Sequence, residues 1–95
     1  MDTNKLNELL ENMNKVHERA KSLFEKDEVP AMLKNEYKNK VSQYDGMYES
    51  IEMMKSMTTS SETIENLYNQ QIEILNVRIK WEMDWINRTI NILLK

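Results

Sequence analysis

The sequence contains no cysteine, one glycine, one proline and one histidine in 95 residues. Without cysteine the chain cannot form a disulfide bond, a thiolate metal site or a cysteine nucleophile. A single histidine excludes a multi-histidine zinc site within one chain. Because sandwiches and barrels need several turns with special backbone angles, the shortage of glycine and proline argues against an all-β fold and predicts an all-α one.

The sequence also lacks a long apolar run and a strongly basic region. No 18 consecutive residues are apolar, so no membrane span or membrane partner is predicted. The net charge is −3, with four or five basic residues in each third of the chain, which argues against a dedicated nucleic-acid binder. We therefore expect a cytoplasmic protein, and the residue types present predict neither a cofactor nor a metal.

Three helices are predicted, over about residues 3–26, 31–57 and 60–94, within one helical domain spanning residues 1–95. Pro30 suits the first turn of the second helix, whereas Gly46 leaves open whether that helix is broken. Thr59 and Glu62 have the spacing of a capping box that would begin the third helix. Short connections predict a three-helix antiparallel bundle. In the first helix, apolar residues alternate at spacings of three and four: Leu6, Leu9, Met13, Val16, Ala20 and Leu23.

The third predicted helix carries more apolar surface than two shorter helices can cover. Its length is about 54 Å, against about 36–40 Å for each of the others. One apolar stripe runs from Ile64 to Leu93, and a second lies about 140° away around the helix. A helix that is apolar on most sides is normally buried on most sides, so we expect a homodimer through this helix. The second stripe consists of Leu67, Ile74, Trp81, Trp85 and Ile92, and polar residues lie between the two stripes: Gln71, Arg78, Glu82 and Thr89.

Two groups of side chains are candidates for a protein interface. Trp81 and Trp85 are one turn apart and flanked by arginines, and tryptophan and arginine are enriched at binding hot spots. Four of the eight methionines lie within residues 47–57, and methionine adapts to varied partners. Packing in the core is the alternative for both groups. The predicted interface residues are Trp81, Trp85, Arg78, Arg88, Ile74, Ile92, Met53 and Met57.

No set of residues predicts catalysis, so the chain is not expected to be an enzyme. His17 lies within the apolar stripe of the first helix, where a packed histidine is the expected role. Arg78 and Glu82 are four residues apart and are predicted to form a semi-buried ion pair that fixes the register of the helices.

A basic edge leaves an alternative open. Lys34, Lys38 and Lys40 lie beside Tyr37, and such a surface could bind and stack on single-stranded nucleic acid. The tyrosines share the apolar stripe of the second helix, however, so core packing is the favoured use of Tyr37.

Two short resemblances add to this interpretation. Tyr44-Asp45-Gly46 resembles the Trp-x-Gly turn of the WXG100 secretion substrates, which implies a secreted helical hairpin with its turn at these three residues. Residues 71–90 resemble the dimerisation helices of bacterial regulators in the rhythm of their apolar positions.

The sequence thus predicts a small interaction protein that acts through a helical surface on another protein, as an adaptor or an inhibitor. Eleven asparagines, ten lysines and eight isoleucines indicate an AT-rich genome. That composition suggests a phage or mobile-element protein, and an anti-defence inhibitor such as an anti-CRISPR is one hypothesis. A nucleic-acid-binding accessory protein and a WXG100-like secreted hairpin are the alternatives.

Overall fold

The structure, a computed structural model, describes residues 3–95 and confirms the prediction of an all-α chain. Over this range it consists of three helices packed against one another: α1 (Asn4–Phe24), α2 (Ala31–Met57) and α3 (Ser61–Leu93). No strand is present among these residues. The molecule is elongated, with extents of 53 × 21 × 15 Å.

The helix ends follow from local backbone chemistry. α1 ends at Phe24, two residues before the predicted end, and Val29 in the following connection is buried. Pro30, with φ −58°, stands at the N-cap of α2, where its missing N–H leaves no helical bond unmade. The N-cap of α3 is Ser60 rather than the predicted Thr59: its Oγ accepts the Thr63 N–H at 3.3 Å.

α3 is the central helix, and α1 and α2 both pack mainly against it. α2 runs antiparallel to α3. Lys55, near the end of α2, contacts Gln71 in the first half of α3. Trp85 Nε1, in the second half of α3, donates to the Leu33 carbonyl near the start of α2, at 3.0 Å. α1 runs in the same direction as α3, since His17 contacts Glu82 and Ala20 packs in one cluster with Trp85.

A core cluster of apolar residues lies at the end of the molecule where α1 connects to α2, and further apolar residues are buried elsewhere along the helices: Leu6, Tyr44, Ile51, Leu67 and Leu75. The partly buried margin of the core cluster includes Val16, Leu23, Phe24 and Trp81. Tyr37 is the aromatic centre, with its ring centroid 4.5 Å from that of Trp85 and 5.7 Å from that of Phe24. The buried members of this core cluster are Ala20, Val29, Leu33, Tyr37, Trp85 and Ile86.

The most deeply buried line on α3 is the polar strip that the sequence places between the two apolar stripes. All four of its residues are buried, three of them completely. A helix that contacts two neighbours buries the line between them, and the flanking stripes then face one neighbour each. Trp81 and Trp85 of the second stripe contact Tyr37 of α2, and Ile86 of the first stripe belongs to the same core cluster as Ala20 of α1. α1 and α2 thus cover part of the surface for which a second copy was expected.

Gly46 does not break α2. The helix continues through residues 31–57, and a side-chain carbon placed on Gly46 would have no atom within 4 Å. The turn at residues 44–46 that a WXG100 resemblance implies is therefore absent, and Asp45 instead pairs with Arg78 of α3.

We predict that Gly46→Ala stabilises the protein. Glycine in a helix interior costs about 1 kcal/mol relative to alanine, and the added methyl group meets open space. The melting temperature should rise by about 4–8 °C, measured by circular dichroism. Gly46→Pro is the opposing control and should destabilise the fold by about 3 kcal/mol or more. A Gly46→Ala variant that melts at or below the parent temperature would contradict a continuous α2.

Candidate functional site

The predicted interface residues fall into an inner and an outer group. In the inner group, Trp85 has no exposed surface and Arg78 is only 6% exposed. Both are held within the chain, Trp85 by the Leu33 carbonyl and Arg78 by two carboxylates, so neither presents a surface to a partner in this conformation. Trp81 is partly buried against Tyr37. The tryptophan face of α3 is thus mainly an internal packing surface.

Arg88 is half-buried and links two helices. Its Nη2 lies 2.7 Å from Glu36 Oε1 of α2, and its Nε lies 2.9 Å from Asp84 Oδ2 of α3. This guanidinium is therefore committed to pairs within the chain. Among the outer predicted residues, Ile74 is partly buried, while three are exposed: Ile92, Met53 and Met57.

A buried polar network joins all three helices at Glu82, which has no exposed surface. The Glu82 carboxylate accepts a hydrogen bond from the Tyr37 hydroxyl of α2. His17 Nδ1 of α1 lies 3.1 Å from the same oxygen, Oε1, and 2.8 Å from the Tyr37 hydroxyl. On α3 itself, Arg78 Nε donates to Glu82 Oε2 at 3.0 Å. One carboxylate therefore takes partners from α1, α2 and α3.

Arg78 extends this network to the surface. Its Nη1 donates to Asp45 Oδ1 at 2.6 Å, and Asp45 is about half exposed. The predicted Arg78–Glu82 pair is confirmed and is fully enclosed, with side chains 7% and 0% exposed. His17, expected to be a packed histidine, is a member of the network with its side chain 32% exposed.

A second polar cluster lies at the other end of the α2–α3 pair. Lys55 Nζ lies 2.8 Å from Glu52 Oε1 and donates to Gln71 Oε1 at 2.8 Å. The Gln71 amide donates to Glu52 at 2.8 Å, and the ammonium lies 3.7 Å from the centre of the Tyr68 ring. Hydrogen bonds from Lys55 and Gln71 hold the pKa of Glu52 below its usual value. The one cation in this part of α2 is thus fully engaged.

An open apolar groove runs between α2 and α3 at this same end. Its volume is about 500 Å³. We call it the Met groove, because Met47 and Met54 form one side and are each nearly half exposed. Val77, 48% exposed, and Ile74 form the other side. The groove is lined by Tyr44, Met47, Ser50, Ile51, Met54, Gln70, Glu73, Ile74 and Val77.

The methionine segment predicted from the sequence contributes to the groove through Met47 and Met54, which were not among the predicted interface residues. Met53 and Met57, the two predicted there, lie outside the groove lining and are exposed. A methionine at a half-buried helix edge shapes the groove, whereas one on the outer face does not. Ile74 is the one predicted interface residue that lines the groove.

A second groove, of about 400 Å³, separates α1 from α2 and is lined in part by His17, Lys21 and Lys38. Tyr37 forms part of its floor but is only 5% exposed. The Lys34 and Lys40 ammoniums lie over the Phe24 and Tyr44 rings of the chain itself. Tyr37 and Tyr44 beside this basic edge are thus buried, while Phe24 is partly buried, and nucleic-acid binding stays a prediction of the sequence.

Residues 3–95 contain no group of three or more His, Asp or Glu side chains placed to hold a metal ion. Within the same range, none of the helices combines the length and the apolar character needed to cross a membrane.

We predict that the Arg78–Glu82 pair costs more to break than to replace. Arg78→Met should destabilise the protein by about 3–5 kcal/mol, because it leaves a buried carboxylate without its cation. Arg78→Met combined with Glu82→Leu should restore only part of that stability, since no buried charge is left in the core but the Tyr37 hydroxyl loses its carboxylate partner. Urea unfolding of both single variants and the double variant measures the coupling.

Arg88→Met provides a matched control, because this half-exposed arginine also bridges two carboxylates. Its loss should cost about 1 kcal/mol or less. If Arg78→Met cost no more than Arg88→Met, the buried network would not have the structural role assigned to it.

We also predict an alkaline instability that depends on Tyr37. Burial, the hydrogen bond to Glu82 and the charge of Glu82 raise the pKa of Tyr37 far above its ordinary value of 10.0. Above pH 10.0, the ordinary pKa of tyrosine, Tyr37 loses its phenolic proton in the unfolded chain but keeps it in the folded chain. The free energy of unfolding therefore falls as pH rises. Tyr37→Phe should cost about 1–3 kcal/mol at neutral pH.

The same variant should make the alkaline decline shallower, because phenylalanine has no proton to lose. Urea unfolding of the parent and of Tyr37→Phe, from about pH 9 to about pH 11, compares the two slopes directly. Equal slopes would mean that Tyr37 does not keep its proton in the fold.

The comparisons with known proteins give no relative from which a role can be transferred. No protein-family description, curated protein sequence or solved structure matches this chain.

Proposed function

We propose that this chain is a protein–protein interaction module that binds an apolar-faced helix of another protein in the Met groove. The observation that carries the proposal is the half-exposed apolar lining between α2 and α3, where Met47, Met54 and Val77 are each 45–48% exposed. Exposed apolar surface that is contiguous and concave is typical of binding sites, whereas single exposed apolar residues are ordinary.

The shape and lining of the groove fit a helix. Two nearly antiparallel helices form its walls, and an amphipathic helix can lay its apolar face between them. Methionine side chains are long and flexible, so they can repack around different apolar side chains. The groove shares no residue with the core cluster, so a bound helix would cover apolar surface without replacing the contacts of Trp85 or Tyr37.

Self-association through α3 stays a second candidate. One observation favours it: Met83 and Ile90 of α3 are 46% and 37% exposed, away from the Met groove lining. An adaptor or inhibitor role, including that of an anti-defence inhibitor, is compatible with a helix-binding groove and stays a prediction of the sequence.

The test uses a defined probe rather than an unknown partner. The probe is a helical peptide with leucine on one face and glutamine on the other, titrated into isotope-labelled protein and followed by NMR chemical shifts. We expect saturable shifts at the residues that line the Met groove. Met47→Gln with Met54→Gln should weaken binding about tenfold, which corresponds to about 1.4 kcal/mol of lost apolar contact.

Met32→Gln is the matched control, because Met32 is on the same helix, is 81% exposed and lies outside the groove. It should leave the peptide affinity unchanged. Failure of the peptide to bind, or equal losses in both variants, would overturn the proposal. Sedimentation of the free protein at increasing concentration tests self-association separately.

A further inference from the structure

The charged residues are distributed unevenly along the chain. Residues 41–77 contain one base, Lys55, and six acids, which gives this segment a charge of −5. The whole chain has a net charge of −3, so the other residues together have +2. Because residues 41–77 include every residue that lines the Met groove, the groove is built entirely from this acidic segment. The six acids are Asp45, Glu49, Glu52, Glu62, Glu65 and Glu73.

The single base of residues 41–77 does not offset the acids at the surface. The Lys55 side chain is 11% exposed, and its ammonium is engaged by Glu52, Gln71 and the Tyr68 ring. Asp45 is paired with Arg78. The other four acids are exposed: Glu49, Glu62, Glu65 and Glu73. The charges of residues 41–77 without a salt-bridge partner are therefore all negative, while Lys40, just before this segment, lies 5.8 Å from the centre of the Tyr44 ring.

One of these acids lines the groove, and another lies beyond the groove on the same helix. Glu73 is the lining residue. Glu62 is eleven residues earlier, which on an α-helix places it within about 20° of the same side and about 16 Å along the axis. The side of α3 that carries Glu73 at the groove therefore carries a second carboxylate, Glu62, about three turns earlier.

From this arrangement we infer that the partner helix is basic: an amphipathic helix with an apolar face for the Met groove and lysine or arginine beside it. The inference rests on the proposed function and adds the chemistry of the partner. Complementary charge at the rim of an interface speeds association and selects among partners with similar apolar faces. An acidic helix would meet like charge along Glu62 and Glu73.

The same charge argues against a second copy as the occupant. A twofold dimer places the same surface of each subunit against itself. Packing groove to groove would bring two segments of −5 together, with no free cation from either segment between them. The groove in this acidic segment is thus suited to a different, basic chain.

Three peptides test this inference. They share one leucine face, and their polar faces carry lysine, glutamine or glutamate. We expect the lysine peptide to bind about tenfold more tightly than the glutamine peptide at low salt, with the glutamate peptide weakest, and the differences to shrink as salt rises. Fluorescence anisotropy of labelled peptides measures all three affinities.

Glu62→Lys with Glu73→Lys should remove or reverse the preference for the lysine peptide. Glu25→Lys with Glu28→Lys changes the net charge equally, at exposed positions at the other end of the molecule, and should preserve that preference. Circular dichroism melting of both variants establishes that each is folded at the temperature of the binding assay.

The outcomes separate the two proposals. If the glutamine and lysine peptides bind equally, or if the rim variant keeps the lysine preference, the inference about basic partners is wrong while the groove still binds helices. If no peptide binds, the proposed function itself fails. If free protein dimerises and a leucine-faced peptide displaces the second copy, then the occupant is another copy of the chain and the inference is overturned.

Discussion

The arrangement of the three helices depends on the buried carboxylate of Glu82. α1 and α2 each pack mainly against α3, and direct packing between α1 and α2 is slight. Glu82 links α1 to α2, because His17 from α1 and Tyr37 from α2 both contact one of its carboxylate oxygens. A carboxylate buried without such partners would carry a large desolvation penalty, so only arrangements that bring these partners together are stable.

Placing α3 between its two neighbours has a consequence for the surface. Three helices in which each contacts the other two would close more of their apolar edges. Here α2 contacts α3 along one edge, and the outer edge of that contact stays open as the Met groove. The chain thus holds its core cluster at one end, around Trp85, and the Met groove outside that cluster.

The helices could be predicted from the sequence because their signals are local. Apolar spacing, Pro30 and the polar break at residues 58–61 depend only on neighbouring residues, and so does the Arg78–Glu82 pair within one turn. The capping residue was missed by one position because Thr58, Thr59, Ser60 and Ser61 can all accept a backbone hydrogen bond. Continuity at Gly46 could not be decided locally, since an isolated glycine is compatible with both outcomes.

The candidate site could be predicted only in part, because it depends on which edges meet across the chain. The polar strip on α3 suggested a boundary between two apolar stripes, and its burial follows only once both neighbours are placed. The tryptophans illustrate the same difficulty: the sequence shows that Trp85 is on an apolar face but does not show that Leu33 offers a carbonyl for its N–H. His17 gave no signal of its own, since its partners are 20 and 65 residues away in the sequence.

Separating the core cluster from the groove also affects how the surface can change. Substitutions at Met47 or Met54 alter half-exposed side chains and leave the Glu82 network and the Trp85 contacts intact. Substitutions at Tyr37 or Arg78 act on the fold directly, because their polar groups are buried and every one of their partners belongs to the chain. Under the proposed function, partner choice depends on those methionines and on exposed carboxylates such as Glu73, and exposed charges contribute little to folding stability. Partner choice could therefore vary over a range of sequences that the fold tolerates.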